Sequence, residues 1–360
     1  MHLSTLKITQ FRNIEQCDLA CHPYLNLISG INGSGKTSIL EAIYFLSMGR
    51  SFRSNQLARV IQYDQSEFSI FTELLKTDGK HTLAIQKQRS GKSTVRLNHD
   101  NEKNHSALTK LLPIQIFNPE SLDLLSSGAQ QRSRLMDWGA FYSQPNFHQT
   151  WSSVKRLIKQ RNAALKQGYS LSMMQAWDQD LSVKAHLLDT QRQTYIEQLL
   201  PIIKNCLQNF ITDLSIEIEY TRGWSNEKEL LEVLNSHYEQ DKRFGVTHYG
   251  PHRADLKFKA NGMPAQDILS RGQQKILICM IKLAQGILFS EEHQTPCIYL
   301  VDDITSELDK IFLKLFLEQL LSLKAQTFIT SIYAENLTTM LNSEVEFTHF
   351  EVTDGSILGK

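Results

Sequence analysis

Two residue sets, far apart in the sequence, have types and spacing suited to one piece of chemistry. Gly30-Ile31-Asn32-Gly33-Ser34-Gly35-Lys36-Thr37 has the spacing Gly-x-x-x-x-Gly-Lys-Thr. Glycines in such a loop let successive backbone N–H groups face one anion, and a helix starting behind them turns the positive end of its dipole toward it. The expected helix is Ser38 to Leu46, and the apolar run Tyr24 to Ser29 is the strand that enters the loop. Lysine and threonine in the last two places suit a nucleoside triphosphate, Lys36 reaching the β and γ phosphates and Thr37 ligating Mg²⁺. Near the other end, Cys297-Ile298-Tyr299-Leu300-Val301-Asp302-Asp303 reads as a buried strand that stops at two acids. Carboxylates at the end of an apolar strand are costly without compensation, which Mg²⁺ would supply.

The elements that position these sets must come from most of the chain. Asp302 lies so far after Lys36 that a large insertion has to separate strands of one sheet, so the head is assembled from both chain ends. A first strand, Leu3 to Phe11, ends at Arg12-Asn13. Arg12 is either a phosphate contact or a solvated turn arginine. Short β segments follow at 68–75, 82–86 and 94–97, flanked by Lys76, Lys80, Lys87, Arg89, Lys92, Arg96, Lys103 and Lys110. This basic edge suits either blocking of edge-to-edge pairing or phosphate tracking. Another strand is expected over Leu111 to Phe117. From Gln130 to Ile211 the pattern is mostly helical, punctuated by Gly168 and Pro201. One helix there carries Lys155, Arg156, Lys159 and Arg161, a solvated face or a DNA contact. β character is expected again at 214–220, 244–248 and 255–259, with a hairpin at Asn261-Gly262. Ser270 is placed as the N-cap of an apolar helix, Ile276 to Phe289. The last expected elements are a helix through Leu323 and strands at 326–331 and 346–352.

Composition bounds the reading. Thirty-eight basic residues balance thirty-eight acidic ones, so any attraction to nucleic acid or anionic membrane must be local. The five cysteines match no zinc spacing and suit reduced thiols in a cytosol. The start, Met-His-Leu-Ser-Thr-Leu-Lys, has no apolar core behind a basic tip, and no apolar run is long enough to span a bilayer. The expectation is a cytoplasmic protein without a membrane partner.

Taken together, Gly30–Thr37, Leu269-Ser270-Arg271-Gly272-Gln273, the strand ending in Asp302-Asp303, and Ser306-Glu307-Leu308-Asp309 resemble ABC-type ATPase heads of the SMC-like branch. The match is closer to the RecF family of bacterial recombination mediators. It extends through Gly49 to Ser54, Asn118-Pro119-Glu120, Asp137-Trp138-Gly139, the run 155–165 and Tyr249 to Leu256. Two departures stand out. Gly128-Ala129-Gln130-Gln131-Arg132-Ser133 lacks the family's usual proline and second arginine, with Ala129 and Ser133 nearby in their stead. Relative to ABC ATPases at large, Asp303 replaces the catalytic glutamate and Thr330-Ser331 the switch histidine.

The resemblance implies an α/β fold, an ABC/SMC-type P-loop ATPase head with an inserted, mainly helical lobe. Residues 1–125 and 241–360 would form the head and 126–240 the lobe. It implies ATP and Mg²⁺ held by Gly30, Asn32, Gly33, Ser34, Gly35, Lys36, Thr37, Ser38 and Arg12, with Thr37 and Asp302 on the metal. Lys36, Asp302 and Asp303 would act in slow hydrolysis. Ser270, Gly272 and Gln273 would complete the site of a second molecule, making ATP the glue of a homodimer. DNA at single-strand/double-strand junctions, RecR, and functionally RecO and RecA are the implied partners, and the nucleoid the implied location. A transporter ATPase subunit, an SMC-like tether and a nuclease-coupled ATPase are the rival readings. They would require, respectively, a glutamate and switch histidine, long heptad arms, and a second acidic cluster, none of which this sequence offers.

Overall fold

The computed structural model describes residues 1–102, 104–208, 210–211, 213–341 and 345–359. Lys103, one of the expected basic-edge residues, therefore lies outside the described residues. The chain forms two compact units, Met1–Leu122 with Phe289–Lys360, and Asp123–Leu288.

The first unit contains two six-stranded sheets. One has the strand order Ser356–Gly359, Phe347–Thr353, Leu25–Ser29, Thr327–Ser331, Ile298–Val301, Ile114–Phe117. Its pairings are parallel except at the Ser356–Gly359 edge. Every residue of its four consecutive strands from Leu25–Ser29 to Ile114–Phe117 is buried, as expected of a sheet covered on both faces. The registers Ser331↔Ser29, Val301↔Ile329 and Val301↔Phe117 bring the carboxyl ends of these strands to one edge. Loops that leave this edge are where an open α/β sheet builds a site.

The other sheet is antiparallel and begins Ile14–Ala20, His2–Phe11, Glu67–Lys76, Gly79–Gln88. Leu3, Leu6, Ile8 and Phe11 of its second strand share a core with Ile39, Ile43 and Leu46 of the helix Lys36–Met48 and with Ile28 and Leu300 of the parallel sheet. Phe11, Phe45 and Phe68 meet edge to face, with centroids 5.0–6.1 Å apart. Gln326, buried, accepts from Leu3 N (2.7 Å) and donates to Leu3 O and His22 O (both 2.8 Å), so one amide ties three backbone segments.

The second unit is built on the helices Ala129–Ser143, Phe147–Lys166 and Leu171–Leu207 and on a three-stranded antiparallel sheet, Met263–Pro264, Asp255–Ala260, Ile216–Thr221. The residues after 240 account for a unit boundary different from the expected one. Asp255–Ala260 pairs with Ile216–Thr221, and Gln285 of the helix Arg271–His293 donates to Leu135 O (2.7 Å) and Tyr195 Oη (3.0 Å). Residues 241–288 thus belong with the helices rather than with the parallel sheet.

Local expectations fail in three places. Pro201 lies inside Leu171–Leu207 rather than between helices, flanked in the sequence by buried Leu199 and Ile203. Residues 244–248 are not a strand. Phe244 ends a helix, and Gly245 at φ 66° provides the left-handed cap. Leu111 ends the helix Ser106–Leu111, so the following strand starts at Ile114. Among the described residues no helix is long and apolar enough to cross a membrane.

Candidate functional site

The loop Gly30–Gly35 leaves the strand Leu25–Ser29 and enters the helix Lys36–Met48 directly. Gly30 has φ +154°, and a β-carbon there would lie 2.3 Å from Val352 O, so only glycine fits. Lys36 is held within the loop, its Nζ donating to Gly30 O (2.6 Å) and Ile31 O (2.9 Å). Burial lowers its affinity for the proton below that of an ordinary lysine, against the opposing pull of Asp303 and Asp302. Ile31, Asn32 and Gly33 are exposed, whereas Ser34 is buried and its Oγ has no hydrogen-bond partner among the described residues.

Asp302 and Asp303 follow Ile298–Val301 at the same sheet edge. Thr37 Oγ1 donates to Asp302 Oδ1 at 2.9 Å, and Thr330 Oγ1 donates to the same oxygen at 2.9 Å. Burial raises the Asp302 pKa, and these two hydroxyl bonds work against the rise. Asp303 takes the left-handed conformation (φ 50°, ψ 38°), with its N–H donated to Thr330 Oγ1 at 2.9 Å. Ser306 Oγ lies 3.1 Å from its Oδ2, while its Oδ1 is buried without a hydrogen-bond partner among the described residues.

The residues present fit a magnesium nucleotide. Two buried, unengaged oxygens, Ser34 Oγ and Asp303 Oδ1, are groups that need a partner. The Thr37–Asp302 oxygen pair is the hard donor set Mg²⁺ takes, with phosphate and water completing its shell.

Arg12 and Asn13 occupy one turn and behave differently. The Arg12 guanidinium grips buried Glu41 of the loop helix through Nε (2.9 Å) and Nη2 (2.5 Å) and donates to Arg59 O. The structure therefore pairs Arg12 with Glu41, not with the loop. Asn13, read only as the end of a strand, is the residue that touches the loop. Its Nδ2 donates to Gly33 O (3.1 Å) and its Oδ1 accepts from Ser38 Oγ (2.9 Å). On the other side Gly355 N donates to Ser34 O (2.8 Å). No motif in the sequence marks Asn13 for this task. Its signal is geometric, a side-chain amide two residues beyond a strand that packs on the loop helix.

The signature residues lie in the second unit. Ser270 Oγ accepts from Gln273 N (3.3 Å) and Gln273 Oε1 accepts from Ser270 N (2.9 Å), a reciprocal cap at the start of Arg271–His293. Ser270 is exposed, and a β-carbon on Gly272 would meet nothing within 4 Å. In the departing segment, Arg132 is paired with Asp255 (2.8 Å) and Ser133 Oγ donates to Gln130 O (3.1 Å).

Among the expected DNA contacts, Lys155, Arg156 and Lys159 are exposed on Phe147–Lys166, with Lys155 Nζ 4.9 Å from the Trp151 ring centroid. Arg161 is not one of them. It is fully buried, held by Asp178 (2.8 Å), Asp241 (2.5 Å) and Thr247 (3.0 Å). On a helix, position 161 falls on the face of Val154, Leu157 and Ile158, which explains the difference. In the β edge, Lys80 pairs with Glu73 (2.6 Å) and Arg89 donates to the backbone of Gln65 and Gln62, while Lys92 and Lys110 are exposed.

Comparison with known proteins agrees with this architecture. The family model for the RecF/RecN/SMC N terminal domain matches residues 2–354. Proteins from Francisella tularensis subsp. mediasiatica and subsp. novicida named "DNA replication and repair protein RecF" are 45% identical over 331 residues, 92% of this chain and 95% of theirs. A structure of the recombination mediator protein RecF with ATP superposes with TM-score 0.89 at 24% identity, covering 100% of this chain and 97% of that one. An Smc head bound to the C-terminal winged-helix domain of ScpA has the same fold at lower similarity, with TM-score 0.61 and 13% identity over 100% of this chain and 98% of that one. This chain belongs to the RecF/RecN/SMC family and, within it, to the RecF proteins.

Proposed function

We propose that the chain is an ATP-switched recombination mediator that binds DNA at single-strand/double-strand junctions and helps RecR, with RecO, bring RecA to gaps. The observation that carries the switch is the 2.9 Å bond between Thr37 Oγ1 and Asp302 Oδ1, which joins the phosphate loop to the acidic strand from the opposite end of the chain. When bound, the magnesium nucleotide supplies the scissile phosphoanhydride and the charge that its protein ligands are arranged to meet. Gly33, Gly35 and Lys36 hold the phosphates, Thr37 and Asp302 hold the metal, and Asp303 orients the attacking water. Exposed Ser270, at the N-terminus of a long helix, serves the γ-phosphate bound by a second molecule. Loss of that phosphate on hydrolysis then releases the dimer, and Asp303, a carboxylate shorter than glutamate, keeps the hydrolysis slow. Lys155, Arg156 and Lys159 line the DNA path, because in a neutral protein a cluster on one exposed helix face is a local field.

Binding to duplex, single-stranded and gapped DNA with and without ATP tests this reading, with wild type compared against Lys36→Met. The expected result is ATP-enhanced binding to gapped DNA that Lys36→Met lacks. Equal, ATP-independent binding to all three would remove the switch. In sedimentation with ATP, Ser270→Arg should remain monomeric where the wild type dimerises.

A further inference from the structure

We propose that Thr330 is the positioning residue that sets both acids of the nucleotide site through a single hydroxyl. A threonine hydroxyl has one proton and two lone pairs. In Thr330 the proton goes to Asp302 Oδ1, and a lone pair takes the N–H of Asp303, each at 2.9 Å. Thr330 is fully buried in the strand Thr327–Ser331, whose register pairs Ile329 with Val301, so its side chain meets the backbone just where Ile298–Val301 gives way to the acids.

The consequences differ for the two acids. Asp302 Oδ1 receives two hydroxyls, one from the loop helix and one from Thr330, which fixes its direction before any cation arrives. Asp303 stands in the left-handed region, which aspartate adopts more readily than most residues because its short polar side chain bonds locally. Its N–H bond to Thr330 and its carbonyl and Oδ2 contacts with Ser306 Oγ (2.8 and 3.1 Å) hold it in that conformation. They leave Oδ1 as the unengaged atom. Valine has the shape of threonine without the hydroxyl. It would remove a donor from Asp302 and leave the Asp303 N–H without its acceptor in the same substitution.

This inference rests on the reading that Thr37 and Asp302 hold Mg²⁺ with the nucleotide. Losing a residue that orients a metal ligand lowers metal affinity by roughly 10- to 100-fold. The test is equilibrium binding of a fluorescent ATP analogue to the full-length protein, in Mg²⁺ and in EDTA. The variants are Lys36→Met, Thr330→Val and Thr330→Ser, with thermal melting as the folding control. In Thr330→Val the Mg²⁺-dependent tightening should fall by about 10-fold or more while the affinity in EDTA holds, and Thr330→Ser, which keeps the hydroxyl, should restore it. Full tightening in Thr330→Val, or an equal loss in EDTA, overturns the proposal. If valine prevents folding, Thr330→Ala against Thr330→Ser carries the same comparison, and alanine equal to serine overturns it. A wild type without Mg²⁺-dependent tightening, or Lys36→Met binding like the wild type, overturns the site reading itself, an outcome distinct from the others.

Discussion

Replacing Arg161 separates a structural cation from one proposed to meet DNA on the same helix. Its guanidinium is fully buried between Asp178 and Asp241, whose side chains are 0% and 1% exposed. Arg161→Ala would leave two carboxylates in a site that has lost its cation. The Asp178 pKa is already raised, mainly by burial, and Arg161 is the largest influence opposing the rise. Breaking a buried pair by removing one partner costs about 3–5 kcal/mol, because the other charge stays desolvated. At about 2–4 °C per kcal/mol for a unit of this size, the melting midpoint of the second unit should fall by roughly 10 °C. Lys159→Glu, on the exposed face, should leave the midpoint where it was and instead weaken DNA binding and flatten its salt dependence. Melting followed by hydrogen exchange in 147–207 and DNA titrations across a salt series read both effects. The reasoning is refuted if Arg161→Ala melts like the wild type while losing DNA affinity, since that is how an exposed phosphate contact behaves.

Three further outcomes follow from the same geometry. Asn13→Ala removes both the amide that holds Gly33 O and the acceptor of Ser38 Oγ. ATP should then bind about tenfold more weakly with little change in stability, as isothermal titration can measure, and unaltered affinity would leave Asn13 without a role in the loop. Reversing Lys155 together with Lys159 should reduce the salt slope of DNA binding, and an unchanged slope would take that helix out of the DNA path. Acid should destabilise both units through His105 and His252, each bonded through Nε2 to a backbone carbonyl, Ser47 O and Thr247 O, at 2.9 Å. Burial lowers both pKa values below the ordinary 6.5, so near that pH the unfolded chain binds more protons than the folded one. Stability is then whole above pH 6.5 and declines as pH falls from there through the lowered folded-state values. His252→Asn should flatten the decline in the second unit, and a decline as steep as the wild type's would assign it to other groups.

What could be read from the sequence depended on whether a residue's neighbours in space were also its neighbours in the chain. The phosphate loop was legible because its strand, turn and helix are contiguous, and the acidic strand because four consecutive buried positions leave no alternation to misread. Pairing the two was legible only through an argument about cost, that Asp302 needs a cation, and the Thr37 bond agrees with it. Arg161 was misread, and the partner of Arg12 was missed, for a common reason. Each is a basic residue whose counter-charge lies elsewhere in the chain, Glu41 for one, Asp178 and Asp241 for the other, so charge counted along the sequence left them unneutralised. Helical spacing contained the correction for Arg161, since it repeats the positions of Leu157 and Ile158, but it could not show the partner of Arg12, which sits in a turn. Thr330 shows the opposite limit. It was noticed as the place where a histidine is missing, and only the register between two strands reveals that its hydroxyl serves Asp302 and Asp303, the two acids of the neighbouring strand end, at once. A replaced residue in a site is therefore better read by what its atoms reach than by what it has replaced.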